Sequence, residues 1–371
     1  MPFTVRDQNT GRLMFETSMR SGSFLAYVDI GGAGSPQDGS ISNPLLAIGT
    51  PYAVAMSGGA NFTRENVYPT FSFSGNTFSW HYPMASAAYD YQHPPCRVLL
   101  GVKPGAGPLP PFTGPRLCIR DPNTGIIQLF RGGLCFQLAG KGTAYTRTDY
   151  RVGNTSPSVV LIPNNPTAGT RLIAVRSTSF PVAKWGSITI NGQVYAIYSC
   201  GTAAANQPVD YWVFDIPENI SSGGVGLKLR DPNNGRMLYN SNYDALRIMD
   251  VPTVNASIDN PSTYQSYPSG RTYAVVQPMI AGYNSSTEAL YRDGLLILDD
   301  GNYDGSYHTW SRQNDGKLLG TWVDGATIRV DPVSFDDVIG QTPGPAPQPD
   351  PATVYWSNPM TNLIVVDVTG L

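Results

Sequence analysis

The chain has 371 residues, 14% of them charged, and a formal net charge of −3. Ordinary domains carry ~25% charged residues, and without a basic excess nucleic acid is not an expected partner. A hydrophobic content of 41% excludes disorder over the whole length.

Glycine (39), proline (32) and tyrosine (21) are abundant, whereas glutamate occurs only at Glu16, Glu65, Glu218 and Glu288. Strong helix formers are therefore scarce and turn and strand formers plentiful, which predicts an all-β chain. The opening MPFTVRDQNTGRL carries Arg6 and polar residues throughout and does not read as a secretory signal. No apolar run approaches the ~18 residues that span a bilayer, so membrane insertion is not expected. Cys96, Cys118, Cys135 and Cys200 lack the close pairing of a zinc or redox motif; they are expected to be buried free thiols of a protein made in a reducing cytosol.

A motif recurs three times: VRDQNTG at 5–11, IRDPNTG at 119–125 and LRDPNNG at 229–235. Asp7, Asp121 and Asp231 thus stand 114 and 110 residues apart, the signature of a repeat architecture. Each copy reads as a hairpin turn. The aspartate bonds the turn backbone, Pro122 or Pro232 presets φ, and Gly11, Gly125 or Gly235 supplies a left-handed residue. The turns are therefore given a structural role.

In chain order, a strand is predicted after each turn, over 24–30, 134–138 and 245–249, and a second over 52–55, 172–175 and 273–276. A hairpin follows, with Phe71, Phe73, Phe78 and Trp80 around Gly75-Asn76 in the first unit. In the second, 188–198 flanks Asn191-Gly192, a strong hairpin signal. In the third, 295–298 leads into an Asp/Gly turn. Closing strands are predicted over 97–102, 211–216 and 327–330. Short strands at this density predict three tandem β-sandwich or jelly-roll-like domains, 1–115, 116–226 and 227–340. The segment 341–371 is expected to be a Pro-rich spacer followed by a strand-bearing arm, 362–368, that adds to a sheet edge on this chain or a neighbour.

Candidate sites are few. His81, His93 and His308 are the only histidines, and no G-x-S-x-G elbow occurs, so the chain is not expected to be an enzyme. Asp300, Asn302 and Asp304 have the oxygen spacing of a calcium loop, but Ser311 stands where the loop needs a bidentate glutamate. A polar turn is the preferred reading, with no cofactor expected and calcium as a weak alternative. Asp299/Asp300 and Asp336/Asp337 offer carboxylates for glycoside hydrolysis, though neighbours on a strand point to opposite faces. The aromatics Trp80, Tyr82, Tyr89 and Tyr91 form the candidate binding surface, since Tyr-rich loops gain contact area at low entropy cost.

The stretch from Gly226-Leu-Lys-Leu-Arg-Asp-Pro-Asn-Asn-Gly-Arg-Met-Leu238 to Leu246-Arg-Ile-Met249 resembles the start of an uncharacterised family of siphophage tail and phage-tail-like bacteriocin proteins. The resemblance covers about 25 residues, is weaker in the two internal copies, and brings no catalytic residues with it. It implies a virion structural protein of the tail tip or baseplate, made in the host bacterial cytoplasm, near the host receptor-binding apparatus. Its expected partners are other tail proteins, copies of itself in a homotrimer, and a bacterial surface receptor, whether pilus, protein or glycan. The alternative is a carbohydrate-binding lectin or a polysaccharide-degrading β-sandwich enzyme.

Overall fold

The computed structural model describes residues 4–6, 13–16, 23–32, 35–56, 69–82, 95–104, 135–149, 158–164, 171–201, 203–216, 220, 228–230, 235–240, 242–255, 265–278, 282–292, 295–297, 308–344, 353–358 and 360–371. The fold is all-β and antiparallel; among the described residues the one helical segment is a short 3-10 turn, Pro44–Ile48.

The first unit holds β1 (Thr4–Arg6), β2 (Leu13–Glu16), β3 (Ser23–Ile30), β4 (Asp38–Ser42), β5 (Gly49–Ala55), β6 (Thr70–Ser74), β7 (Thr77–His81) and β8 (Cys96–Pro104). The second holds β9 (Gln137–Tyr145), β10 (Val159–Pro163), β11 (Leu172–Arg176), β12 (Ala183–Ile190), β13 (Gln193–Ser199) and β14 (Pro208–Asp215). The third opens with β15 (Lys228–Arg230), β16 (Met237–Asn240), β17 (Ile248–Asp250), β18 (Thr253–Asn255), β19 (Gln265–Ser266) and β20 (Tyr273–Val276). It continues through β21 (Gly282–Arg292), β22 (Leu295–Ile297), β23 (His308–Asp324), β24 (Thr327–Gly344), β25 (Thr353–Asn358), β26 (Met360–Asn362) and β27 (Ile364–Asp367).

The three units share one plan. An outer sheet runs β4-β7-β6, β10-β13-β12 and, in the third unit, β19-β24-β23. An inner sheet runs β3-β8-β5, β9-β14-β11 and β17-β27-β20. The predicted hairpins form the outer sheets: Ser74 pairs with Thr77 across Gly75-Asn76, and Ile190 with Gln193 across Asn191-Gly192. Asn191 and Gly192 have φ of 51° and 78°, the two positive values a tight hairpin turn requires.

The repeated motif is also a hairpin where its flanks are described. Arg6 pairs with Leu13, and Arg230 with Met237, so six residues lie between the strands. Gly235 has φ +71°, the left-handed residue predicted there, and Arg230 Nη1 donates to its carbonyl at 3.0 Å. That bond gives the motif's arginine a reason to be there. Asp7, Gly11, Asp121, Pro122, Gly125, Asp231 and Pro232 lie outside the described residues.

The inner strands β11, β20 and β27 are buried on both faces, which is why LIAV, YAVV and LIVV read as continuous apolar runs rather than alternating ones. Within each, one set of side chains faces its own sandwich and the other faces a shared core. Ile173 and Val175 pack in the second unit, Tyr273, Val275 and Val365 in the third, and Ala53, Val98 and Leu100 in the first. Leu172, Ala174, Trp212, Phe214, Ala274, Val276, Ile364, Val366, Val54, Leu99 and Phe24 all enter the shared core. The three repeats are thus one composite body.

The shared core is walled mainly by the second and third units. β11 pairs with its counterpart β20, making a six-stranded sheet in the order β17-β27-β20-β11-β14-β9. Its outer edges then meet: Gln137 bridges Ala245, Leu138 N donates to Asp244 O at 2.7 Å, and Leu246 N to Phe136 O at 2.8 Å. The ring of backbone bonds closes into a small barrel that leaves no free edge at that point. The first unit lays its inner face against it. Phe24 stands edge-on to Phe136 with centroids 5.0 Å apart, and the Asn362 side chain donates to the Ala53 carbonyl.

Residues 341–371, expected to be a spacer and an arm, supply the third unit's closing strand. The strand predicted at a sheet edge is taken up inside this chain's own inner sheet, where β27 lies between β17 and β20. β24 starts where the closing strand was predicted, at Thr327, but is the counterpart of β7 and β13 and runs to Gly344. The third unit's hairpin is therefore β23–β24 around Gly325 (φ 61°), not the 295–298 segment.

Three cross-strand pairs set an aromatic ring over a glycine: Tyr52 over Gly101, Tyr211 over Gly142 and Trp80 over Gly39. A Cβ at Gly101 would lie 2.2 Å from Tyr52 Cζ, and one at Gly142 2.7 Å from the Tyr211 hydroxyl. Tyr52 is buried and has no room to move, whereas Tyr211 is half-buried and can swing outward. Gly101→Val is expected to cost about 1–3 kcal/mol by overpacking, and Gly142→Val clearly less. Parallel thermal melts check the order; equal losses would mean that ring burial is not the cause.

Candidate binding surface

Trp80 and Tyr82 come from the end of β7 and the residue after it. Phe78, Trp80 and Tyr82 alternate towards the first unit's core, so the sheet periodicity turns these aromatics inward. Trp80 pairs with Gly39 and Phe71, and its ring lies across Gly39, where a Cβ would meet it at 2.1 Å. It packs on Phe78 at 5.9 Å and is only partly exposed. Tyr82 is fully buried, its N–H donates to Gln37 O at 2.9 Å, and Gln37 Nε2 donates back to the Tyr82 carbonyl at 2.8 Å. Burial above all, and then Cys96, raises its hydroxyl pKa. Tyr82 is a core residue, and Trp80 roofs the edge of that core. Alternation along the strand, which sets Tyr82 on the same face as Phe78, is the signal in the sequence that separates the two roles. Tyr89 and Tyr91 lie outside the described residues.

The opposite face of the same sheet is polar. Ser40, Ser42, Ser72, Ser74, Thr77 and Ser79 occupy it, with His81 Nδ1 2.5 Å from Asp38 Oδ1 at one border, both groups exposed. Of this face, only His81 was named from the sequence, as one of the three histidines.

A second polar feature lies where the first unit meets the barrel. Arg97 clamps Asp29 through two bonds of 2.7 and 2.8 Å and stacks over Tyr27 at 5.7 Å. The hydrogen bond from Arg97 holds the Asp29 carboxyl below its usual range. Burial first, and then the Asp215 carboxylate, raises the Tyr27 hydroxyl. Asp215 is itself fully buried and bonded to Arg171 Nε at 2.8 Å. The Arg97–Asp29 pair ties β3 to β8 within the first unit, and the Arg171–Asp215 pair lies within the second.

Among the described residues no three His, Cys, Asp or Glu side chains gather to hold a metal. Asp300, Asn302 and Asp304 lie outside the described residues, as do Asp299 and His93. Asp336 and Asp337 sit on β24, where the register sets Asp336 opposite Asp315 and Asp337 opposite Asn314. The Asp315–Asp336 juxtaposition was invisible in sequence, because its two members come from strands whose pairing had not been foreseen. Cys96, Cys135 and Cys200 are free thiols, and burial pushes Cys96 and Cys135 up to about 12. No helix among the described residues is long and apolar enough to cross a membrane.

Burial also lowers one amine. Lys184, whose Nζ donates to the Pro278 carbonyl at 2.5 Å, is brought down to about 8. Its native value lies below the ordinary lysine value near ~10.4, so between those limits the unfolded chain binds more protons and this residue's contribution to stability rises with pH. The buried thiols act the other way, because their native values lie above the unfolded ones. Wild type and Lys184→Met should therefore diverge, the wild type gaining relative to the variant from pH 8 to 10. Denaturant titrations across that range check it; parallel pH curves would contradict it.

No family model, curated protein or solved structure matches the chain. By its fold it is an all-β repeat protein of three fused two-sheet units.

Proposed function

We propose that the chain is a virion structural protein of a phage tail tip or baseplate, or of a phage-tail-like bacteriocin, that positions or forms the host receptor-binding apparatus. The observation that carries this reading is the stretch from Gly226 to Met249, which resembles that family and supplies the hairpin β15–β16 and the entry into β17. The composite body supports it: three repeats joined through one core transmit load and hold orientation better than three beads on linkers would. Its partners on this reading are neighbouring tail proteins, copies of itself in a homotrimer, and a bacterial surface receptor.

Immunogold labelling of purified particles with antibody against the chain tests the reading. Label at the distal tail end is the expected result, and absence of the chain from particles would overturn it. In that event the carbohydrate-active alternative, for which the facing Asp315 and Asp336 positions are the one specific observation, would be examined by reducing-sugar release from host surface polysaccharide.

A further inference from the structure

The third unit differs from the other two in one respect. Its β23 and β24 are 17 and 18 residues long, against five in each strand of the first unit's hairpin. Among the described side chains, the last buried ones along this hairpin are Leu318 and Val333, and the ladder continues from Lys317 opposite Ser334 to His308 opposite Gly344. At ~3.3 Å per residue that is roughly 30 Å of further strand. β21, β22 and β25 pair onto this extension and widen it into a ribbon.

Four chain paths join the ribbon to the body: β20 through Gln277 and Pro278 to β21, β23, β24, and β25 to β26; the first two carry the contacts described next. Both are tied to the second unit at one place. Gln277 is 4% exposed. Its Nε2 donates to Val182 O and to Thr321 Oγ1, each at 2.7 Å, and its Oε1 accepts from Lys184 N at 2.6 Å. Val182 and Thr321 also exchange both backbone bonds, at 3.0 and 2.9 Å, and Val323 N donates to Ser177 O at 2.8 Å. The amide thus uses both protons and its oxygen.

We infer that Gln277 and the groups it holds form a pin that fixes the direction in which the β-ribbon leaves the body. Apolar surfaces slide with little penalty, because dispersion and burial have no fixed direction. A buried amide with every polar atom bonded does not slide, since each bond broken strands a desolvated donor or acceptor. The pin sits beside two of the ribbon's roots, so it selects one alignment of the second unit against β23 and the β20–β21 connection. This inference does not depend on the proposed function.

Hydrogen exchange and small-angle scattering of the full chain and of Gln277→Leu, which keeps size and removes the amide, test the pin. Amides of Val182, Lys184 and Thr321 should exchange about tenfold faster or more, while β11 and β27 stay protected and the longest interatomic distances spread. Thr321→Val, which removes one acceptor, should show the same pattern more weakly. Unchanged exchange at those amides, equal acceleration in every strand, or local acceleration with an unaltered scattering profile would each overturn the inference.

Discussion

Deleting residues 360–371 is expected to abolish cooperative folding of the entire chain. The deletion removes β26 and β27, and β27 is the middle strand of an inner sheet, bonded to β17 on one side and β20 on the other. Leu363, Ile364, Val365, Val366 and Val368 are each at most 2% exposed. Ile364, Val366 and Val368 fill the shared core, and Leu363 and Val365 the third unit's own core. Burial of such a side chain is worth ~1.5–3 kcal/mol, so five are worth roughly 10 kcal/mol, comparable with the ~5–15 kcal/mol stability of a whole domain. The loss also opens the barrel, so the second unit is affected along with the third. Far-UV circular dichroism during heating should show no sharp transition in the truncated chain. A truncated chain that melts as sharply and as high as the full one would mean that the segment is a dispensable arm.

Arg171→Leu should be the most damaging single charge change in the body. Asp215 is wholly buried and Arg171 82% so, and the guanidinium Nε holds the carboxylate at 2.8 Å. Removing the charged partner from a buried pair costs about 3–5 kcal/mol. The Ile216 N–H, which also donates to Asp215 at 2.8 Å, is too weak to replace a full positive charge. Arg147→Leu is the control, because Arg147 and Asp149 form their pair at the surface, where such pairs contribute little. Equilibrium unfolding of the two variants compares them, and losses of the same size would show that burial does not govern these pairs.

Much of the architecture was legible in the residues. The recurring R-D-x-N-x-G turn announced three units, and the Asn191-Gly192 and Gly75-Asn76 signals placed two of the three hairpins. Two features misdirected the reading of the third unit. Its hairpin strands run far past the core, so their apolar residues are diluted by polar ones. The proline-rich stretch 342–351 reads as a linker, although its first three residues belong to β24 and the chain returns after it to complete the sheet. The run Leu-Ile-Val-Val over 363–366 did carry a usable signal: four consecutive apolar residues suit a strand covered on both faces, not an edge. The barrel itself had no local signal, because which strand edges meet depends on long-range pairing of repeats.

The candidate binding residues were legible only in part. Aromatic clustering drew notice to Trp80 and Tyr82, but aromatic residues fill cores as readily as surfaces, and only the parity of the strand separates the two roles. Tyr82 shares the parity of buried Phe78 and is buried.

Whether three repeats share one core is tested most directly by differential scanning calorimetry of the full chain. A single transition is predicted, with calorimetric and van't Hoff enthalpies equal, and Val366→Asp should lower it as one unit. Two or three separable transitions, with only the last affected by that substitution, would contradict the shared core.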